Sequence, residues 1–324
     1  MPSFRYFAAA LAAGLMLISM PANAQQTWPA REVRFVVPFS SGTTSDILAR
    51  AVAQHVAAAI GKPVIVDNQG GAGGNIAAAS VARAQPDGHT ILFATTGPAA
   101  TNKLMYKNLT FDPQRDFEPV VLIGKSPVII VATSAVPARN LKELIDFLKA
   151  DPDKLNVGYP GNGTLGHITG ELFQQLAGVK MGGVQYRGSA AIISDLLGGH
   201  INIAMDSMAA YIGNVNEGSL RALAIAGASR WSGLPEVPTV AESGLPGFEA
   251  TVWYALLAPA GTPPQVIDKL NAAVNGFLAT PATQDLFGKL GIQGAGGTPA
   301  DLKTFIASEI AKWEPIVKGA NISF

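Results

Sequence analysis

The chain reads as an α/β protein of two lobes, each a mostly parallel sheet flanked by helices, joined by two crossing segments around a cleft. Three observations predict this. Short apolar runs alternate with runs at helical spacing, the pattern of parallel strands covered by helices. Glycine-rich segments stand at three of the strand-to-helix junctions. Near Val120 the rhythm breaks, because two apolar runs follow one another before a second α/β series begins.

Taken in order, residues 33–37 (Val-Arg-Phe-Val-Val) form a buried strand feeding the first loop, Pro38-Phe39-Ser40-Ser41-Gly42-Thr43-Thr44-Ser45-Asp46. Ile47, Leu48, Ala51, Val52 and Val56 then recur at helical spacing until Gly61-Lys62-Pro63 ends the helix. Residues 64–66 are the next strand, followed by the second loop, Asn68-Gln69-Gly70-Gly71-Ala72-Gly73-Gly74-Asn75, and an Ala-rich helix over 76–84. The turn Pro86-Asp87-Gly88 leads into a strand at 90–94, after which come Thr95 and Thr96. Two apolar runs, 120–123 and 128–131, flank Gly124-Lys125-Ser126-Pro127.

The second series has a helix at 141–149, a strand at 155–159 and the third loop, Tyr159-Pro160-Gly161-Asn162-Gly163-Thr164. A helix at 165–177, a strand at 183–186, a helix at 190–197 and strands at 201–204 and 220–226 follow. The run 252–257 returns the chain to the first unit. The expected division is therefore residues 25–126 with 250–324 in one lobe and 127–249 in the other, forming a cleft that closes by hinge motion.

Residues 1–24 carry one charge, Arg5, then an apolar stretch over 7–20, and end in Ala22-Asn23-Ala24. That is the layout of a secretory signal peptide cleaved after Ala24, with an apolar core short of the ~20 residues a spanning helix needs. The chain has 23 basic and 23 acidic residues; removal of Arg5 leaves 22 against 23, a mature charge of about −1. Such a balance excludes nucleic acid as a partner, because phosphate neutralisation requires a basic surface. It leaves small anions open, since backbone dipoles hold them without net charge. With no cysteine there is neither disulfide nor thiolate chemistry.

No G-x-S-x-G or G-x-x-x-x-G-K-[ST] pattern occurs, and Gly70-Gly71-Ala72-Gly73-Gly74 lacks dinucleotide-loop spacing. His55, His89, His167 and His200 are scattered, with no metal-ligand spacing. We therefore expect no catalytic residue, no metal and no cofactor. Loops opening helices suit anions, because glycine lets backbone approach a ligand and free N–H groups attract negative charge. His167, in the first turns of its helix, is either a ligand or loop-positioning contact or a polar residue near a helix end. Asp206, after strand 201–204, either accepts from a ligand amine or hydroxyl or caps the next helix. Asp46 stands three residues after Thr43, the spacing of a reciprocal cap, with hinge or ligand contact as its alternative. Arg187, in Tyr186-Arg187-Gly188-Ser189, offers a guanidinium to a carboxylate or is simply exposed.

At this point the sequence resembles the Bug-type substrate-binding proteins of tripartite tricarboxylate transporters, a branch of the periplasmic binding proteins, from about Trp28 to the C-terminus. The resemblance lies in Val36-Val37-Pro38-Phe39 with Asp46, in Val66-Asp67-Asn68 with Gly71-Ala72-Gly73-Gly74-Asn75-Ile76, and in Pro86-Asp87-Gly88. It continues through Gly161-Asn162-Gly163-Thr164 with His167, Tyr186-Arg187-Gly188-Ser189, Asp195-Leu196-Leu197-Gly198-Gly199 and Leu257-Ala258-Pro259-Ala260-Gly261-Thr262-Pro263. It implies a type II-like periplasmic binding protein: a monomer that closes on a small carboxylate, often with bridging waters, and hands it to permease subunits in the membrane. The loops carrying Ser40, Ser41, Gly42, Thr43 and Thr44, and Gly161, Asn162, Gly163, Thr164 and His167, match the family's carboxylate-holding loops. Asp46, Gly73, Asn75, Thr95, Thr96, Arg187 and Asp206 complete the expected ligand-binding set. One departure is clear, since the family commonly has Pro-Ala-Gly-Gly where this chain has Ser40-Ser41-Gly42-Thr43. The ligand class is thereby left as a di- or tricarboxylate, an aromatic acid or an acidic amino acid. Delivery to a signalling receptor is an alternative role, and a hydrolase-like enzyme the rival class.

Overall fold

In the computed structural model, residues 28–319, Ile322 and Ser323 are described; the leader and its cleavage after Ala24 lie outside the described residues. Strand β1 (Val33–Val37) leads into helix α1 (Thr44–Ile60), strand β2 (Val64–Asn68), helix α2 (Asn75–Ala82) and strand β3 (Thr90–Thr95). The buried face of α1, with Leu48, Val52 and Val56, packs on Val33, Phe35 and Val37 of β1. Each such side chain contributes ~1.5–3 kcal/mol by leaving water. Gly61 ends α1 in the left-handed region (φ 71) and returns its N–H to Ala57 O. After β3 the chain makes an irregular helical turn (Gly97–Thr101) and the short helix α3 (Asn102–Met105).

Strand β4 (Phe117–Ala132) is one continuous element, although its sequence reads as two apolar runs. Its first part, Phe117 to Pro127, pairs antiparallel with β9 (Thr251–Pro259). From Val128 onward it pairs with β7 (Ile203–Ser207) and β8 (Arg221–Ile225). Pro127 has no N–H to offer to a ladder, and at the change of partner Val128 donates to Ala250 O at 2.9 Å. Between these parts lie α4 (Leu141–Ala150), β5 (Asn156–Tyr159), α5 (Leu165–Ala177), β6 (Gly182–Gln185) and α6 (Ser189–Leu197), with α7 (Met208–Asn216) after β7.

The strand order is β2-β1-β3-β9-β4-β7-β5-β6. Pairs β1–β2, β1–β3, β5–β6 and β5–β7 are parallel, as strand–helix alternation requires. The strands that carry the chain between lobes return antiparallel, so each sheet is mixed rather than mostly parallel. Sequence reading left the C-terminal region without helices, but it holds α8 (Pro264–Leu278), α9 (Pro281–Lys289) and, after the short β10 (Gln293–Gly294), α10 (Pro299–Gly319). Their signals were proline at each first helical position and, in α8, Val266, Leu270, Val274 and Phe277 at helical spacing.

Helix α10 binds the two lobes together. Leu302 and Ile306 pack with Phe117, Trp253 and Leu257 of one lobe. Trp313 and Val317 join Ile130, Leu144, Ile168 and Phe173 of the other. Glu309, between these halves, accepts from Trp253 Nε1 on β9 at 3.1 Å. This fold places the N-termini of α1, α5, α6 and α7 around the junction of the two sheets.

Candidate functional site

The space between the lobes, open solvent included, is about 560 Å³. Thr95 and Thr96, Tyr254 and Val252, and Asp206 and Ser207 line it from the ends or edges of β3, β9 and β7. Thr43, Thr44 and Ser45 open α1, Thr164, Leu165 and Gly166 open α5, and Gly188 and Ser189 open α6 against the same space.

The loops before α1 and α5 are two copies of one arrangement. Thr43 caps α1 and Thr164 caps α5, and neither hydroxyl caps its own helix. Each turns back instead: Thr43 Oγ1 donates to Ser40 O at 2.9 Å, and Thr164 Oγ1 to Gly161 O at 2.7 Å. The glycine before each cap donates its N–H to the side chain four residues on, Gly42 to Asp46 Oδ2 at 2.9 Å and Gly163 to His167 Nδ1 at 3.2 Å. One turn further, Arg50 pairs with Asp46 at 2.9 Å while Glu171 lies 3.7 Å from His167. The sequence signal is Gly-Thr-x-x-[Asp/His] at a constant offset between lobes, a repeat that a search for short periods misses.

This arrangement leaves the first N–H groups of α1 and α5, which have no intrahelical partner, turned toward the cleft. Helices α4, α9 and α10 close theirs: Asn140 accepts from Glu143 N, Thr280 from Thr283 N, and Thr298 pairs reciprocally with Asp301. Helix ends open toward one cavity are a receptor for negative charge. Among the described residues lining the inner cleft, Asp206 carries the only charge.

Asp206 is 5% exposed. Its Oδ2 accepts from Ser189 Oγ at 2.6 Å and Tyr211 Oη at 3.3 Å, and its Oδ1 from Ser207 N at 2.7 Å. Burial pushes its pKa up to about 6 against those three hydrogen bonds, so it is largely ionised at neutral pH. His167 is held down to about 4 by burial and is neutral. Its Nδ1 accepts, which puts the ring proton on Nε2. Burial works to raise Asp46, but Arg50, Gly42 N–H and Asn68 outweigh it and hold that carboxyl low.

The structure therefore sorts the expected site residues. Thr43, Thr44, Gly73, Thr95, Thr96, Thr164 and Asp206 line the inner cleft. Ser40, Gly161, Asn162 and Arg187 line an adjoining outer recess with Gly73. Gly42, Asp46, Gly163 and His167 act within the loops, Ser41 bonds to Asn68 at 3.2 Å, and Asn75 accepts from Asn102 at 2.6 Å. The reciprocal Thr43–Asp46 cap does not form, because Thr43 Oγ1 goes to Ser40 O and Asp46 to the Gly42 N–H. Sequence reading missed Tyr254, Ser189, Ser207 and Phe39; the first carries no signal within an apolar run. Tyr106 was missed as well, and its hydroxyl donates to Asn162 O at 2.7 Å across the cleft. No group of three or more His, Cys, Asp or Glu suited to a metal exists among the described residues, nor a helix long and apolar enough to cross a membrane.

Two α/β lobes meeting over a buried cleft, with helix ends aimed into it, define a substrate-binding protein. The chain belongs to the TctC family, the receptor of tripartite tricarboxylate transporters, whose pattern matches residues 48–322. It is 34% identical to the protein BugT of Bordetella pertussis, over 93% of this chain and 92% of that one. Its fold superposes on Rpa4515 of R. palustris, solved with adipate, with a TM-score of 0.88 at 37% identity, covering 91% and 99% of the chains. MatC (Rpa3494) of Rhodopseudomonas palustris, solved with bound malate, gives 0.85 at 33% identity over 90% and 100%. The family is one of periplasmic solute-binding proteins.

Proposed function

We propose that this protein captures a small carboxylate in the interlobe cleft and delivers it to the membrane permease subunits of a tripartite tricarboxylate-type transporter. It acts in the periplasm as a monomer, after removal of its leader behind Ala24, and leaves the ligand chemically unchanged. The observation that carries this reading is the matched pair of helix N-termini, α1 and α5, whose Thr43 and Thr164 hydroxyls are turned away from them. A carboxylate between them gains charge-assisted hydrogen bonds of ~1.5–3 kcal/mol each, and each helix dipole adds up to ~2 kcal/mol in a partly buried setting. The adipate and malate held by the two related structures support the same class.

The lobes close about a hinge where β4 changes partner at Pro127 and Val128, and where Ala250 precedes β9. Asp206 selects against a second negative charge at the inner end of the cleft and accepts from a hydroxyl or ammonium there. Calorimetry of the mature chain against mono-, di- and tricarboxylates, aromatic acids and acidic amino acids is expected to find one site per chain. The ligand should be recovered intact, and at 100 times its dissociation constant it adds ~2.7 kcal/mol of stability. Turnover of the bound acid, or a ligand without a carboxylate binding in preference, overturns the reading.

A further inference from the structure

Residues 97–106 follow the cleft residues Thr95 and Thr96 and run from one lobe to the other. Ala99 and Ala100 pack with Leu302 and Ile306 of α10, and Met105 is buried in the core of the second lobe with Leu165 and Ile168 of α5. Within this segment Asn102 is fully buried. Its N–H reaches Gly97 O, a turn wider than that of an α-helix and of a kind frequent at functional sites. Its Nδ2 donates to Gly73 O at 3.0 Å and to Asn75 Oδ1 at 2.6 Å, both in the second loop. Gly73 O can only accept, so chemistry decides which end of the amide faces the loop. The other end, Oδ1, is buried without a hydrogen-bond partner among the described residues. Tyr106 ends the segment, its hydroxyl donating to Asn162 O of the third loop at 2.7 Å.

We propose that Asn102 is a positioning residue for ligand capture. It is one end of a strap, residues 97–106, whose other end is Tyr106, and the strap sets how long the closed cleft keeps its ligand. The proposal rests on the reading of the cleft as a site that closes on a carboxylate. Four of the five residues 70–74 are glycine, so the second loop has almost no side chain of its own to fix its course. Yet Gly73 lines the cleft, and a Cβ on it would lie 2.8 Å from Tyr106 Oη. A loop this free loses entropy whenever it is placed against the other lobe, unless it is already held. Asn102 holds it, and leaves its own Oδ1 unpartnered in doing so. Asn75 lines neither the inner cleft nor the outer recess, and its side chain serves this hold. Under the proposed closure, the placing of Gly73 and the bond from Tyr106 to Asn162 act once the lobes meet. Losing either therefore speeds release more than it slows entry.

The test is stopped-flow release of ligand from wild type, Asn102→Ala, Tyr106→Phe and the double variant, with succinate, citrate, benzoate and glutamate as probes. Tryptophan fluorescence reads it, because Trp253 N–H donates to the cleft residue Thr96 at Oγ1, 3.0 Å away. Asn102→Ala should release its acid about tenfold faster or more, with association changed by less than about threefold. The double variant should release no more than about twofold faster than the faster single one, because both residues serve one strap. Asn75→Ala should speed release by about three- to fivefold, and Asn75→Asp, which keeps the acceptor, should recover most of that. Were Asn75 a direct contact of the acid, the added charge would make Asn75→Asp the worse of the two, and that result overturns its place in the strap. Thermal melting of the unliganded proteins is measured alongside. An Asn102→Ala protein that melts earlier yet releases at the wild-type rate, or single effects that multiply, overturns the strap while leaving the carboxylate reading in place. If Asn102→Ala does not fold, Asn75→Ala and Tyr106→Phe decide, and wild-type release from both overturns the strap. Wild type that takes up none of the four acids overturns the carboxylate reading, and this proposal with it.

Discussion

Asp46 and His167 perform the same task with opposite chemistry, each accepting a glycine N–H four residues upstream and so fixing the loop that opens its helix. A carboxylate can do this while ionised because Arg50 covers it; an imidazole can do it only while neutral. His167 and Asp206, both buried, then oppose one another in acid. His167 is ordinarily half-protonated near 6.5 but is held at about 4, so the unfolded chain takes up its proton first. Its contribution to stability is full above 6.5 and is lost as pH falls from there toward 4. Asp206 is raised from 3.8 to about 6, so the folded chain takes up its proton first. Its burial is least costly below 3.8, and that advantage is lost as pH rises through 6. Each is worth on the order of 3 kcal/mol at full effect. Urea denaturation at pH 7.5, 6 and 4.5 should therefore show His167→Gln gaining on wild type as pH falls, and Asp206→Asn losing ground. Profiles that run parallel to wild type would reject both assignments.

At the scale of elements, strand ends bring the side chains and helix starts bring the backbone. Two glycines separate what the cleft needs from what the fold needs. Gly166, on the first turn of α5, packs so tightly on β7 that a Cβ there would lie 2.4 Å from Met205 O and 3.3 Å from Asp206 Cα. Gly73, with φ +62, faces the other lobe, and its Cβ would lie 2.6 Å from Asn162 O. Gly166→Ala meets backbone within its own lobe and is expected to lower stability by about 2–4 kcal/mol. Gly73→Ala meets the opposite lobe and should cost about 1 kcal/mol of stability for its left-handed backbone. It should nonetheless weaken ligand binding about tenfold or more by holding the lobes apart. Thermal melting of both variants with and without ligand checks this; a Gly73→Ala protein of native affinity would remove the closed contact from the mechanism.

For the whole molecule, the lobes touch across the cleft at Tyr106 with Asn162, Ser40 with Arg187, and Ser207 with Tyr254 (3.1 Å between hydroxyls). Under the proposed closure these bonds and ligand binding favour the same arrangement of the lobes. Tyr106→Phe removes one bond of ~0.5–1.5 kcal/mol and should weaken binding by about two- to tenfold without lowering the stability of the unliganded protein. Small-angle scattering should show a smaller radius of gyration with ligand, in wild type and variant alike at saturation. A monocarboxylate bound only by helix ends in a near-neutral protein should lose little affinity between low and physiological ionic strength. An unchanged radius on binding would reject ligand-driven closure, and a steep salt dependence would move the site to the Arg187 recess.

The order of elements was legible in sequence because each depends on near neighbours: apolar spacing in α1 and α5, glycine at the loops, proline at turns. So was the set of loops around the cleft, since strand-to-helix junctions of parallel strands fall at one edge of a sheet. The unity of β4 was not legible, because Gly124 to Pro127 look like a break until β9 and then β7 pair with them. Helix α10 as a tie between lobes was not legible either, for its two halves choose different cores only after both cores exist. The division of the candidate residues into an inner chamber with Asp206 and an outer recess with Arg187 belongs wholly to tertiary structure. Sequence fixes which groups can hold an anion; the distances that decide which of them share one cavity arise when distant segments pack.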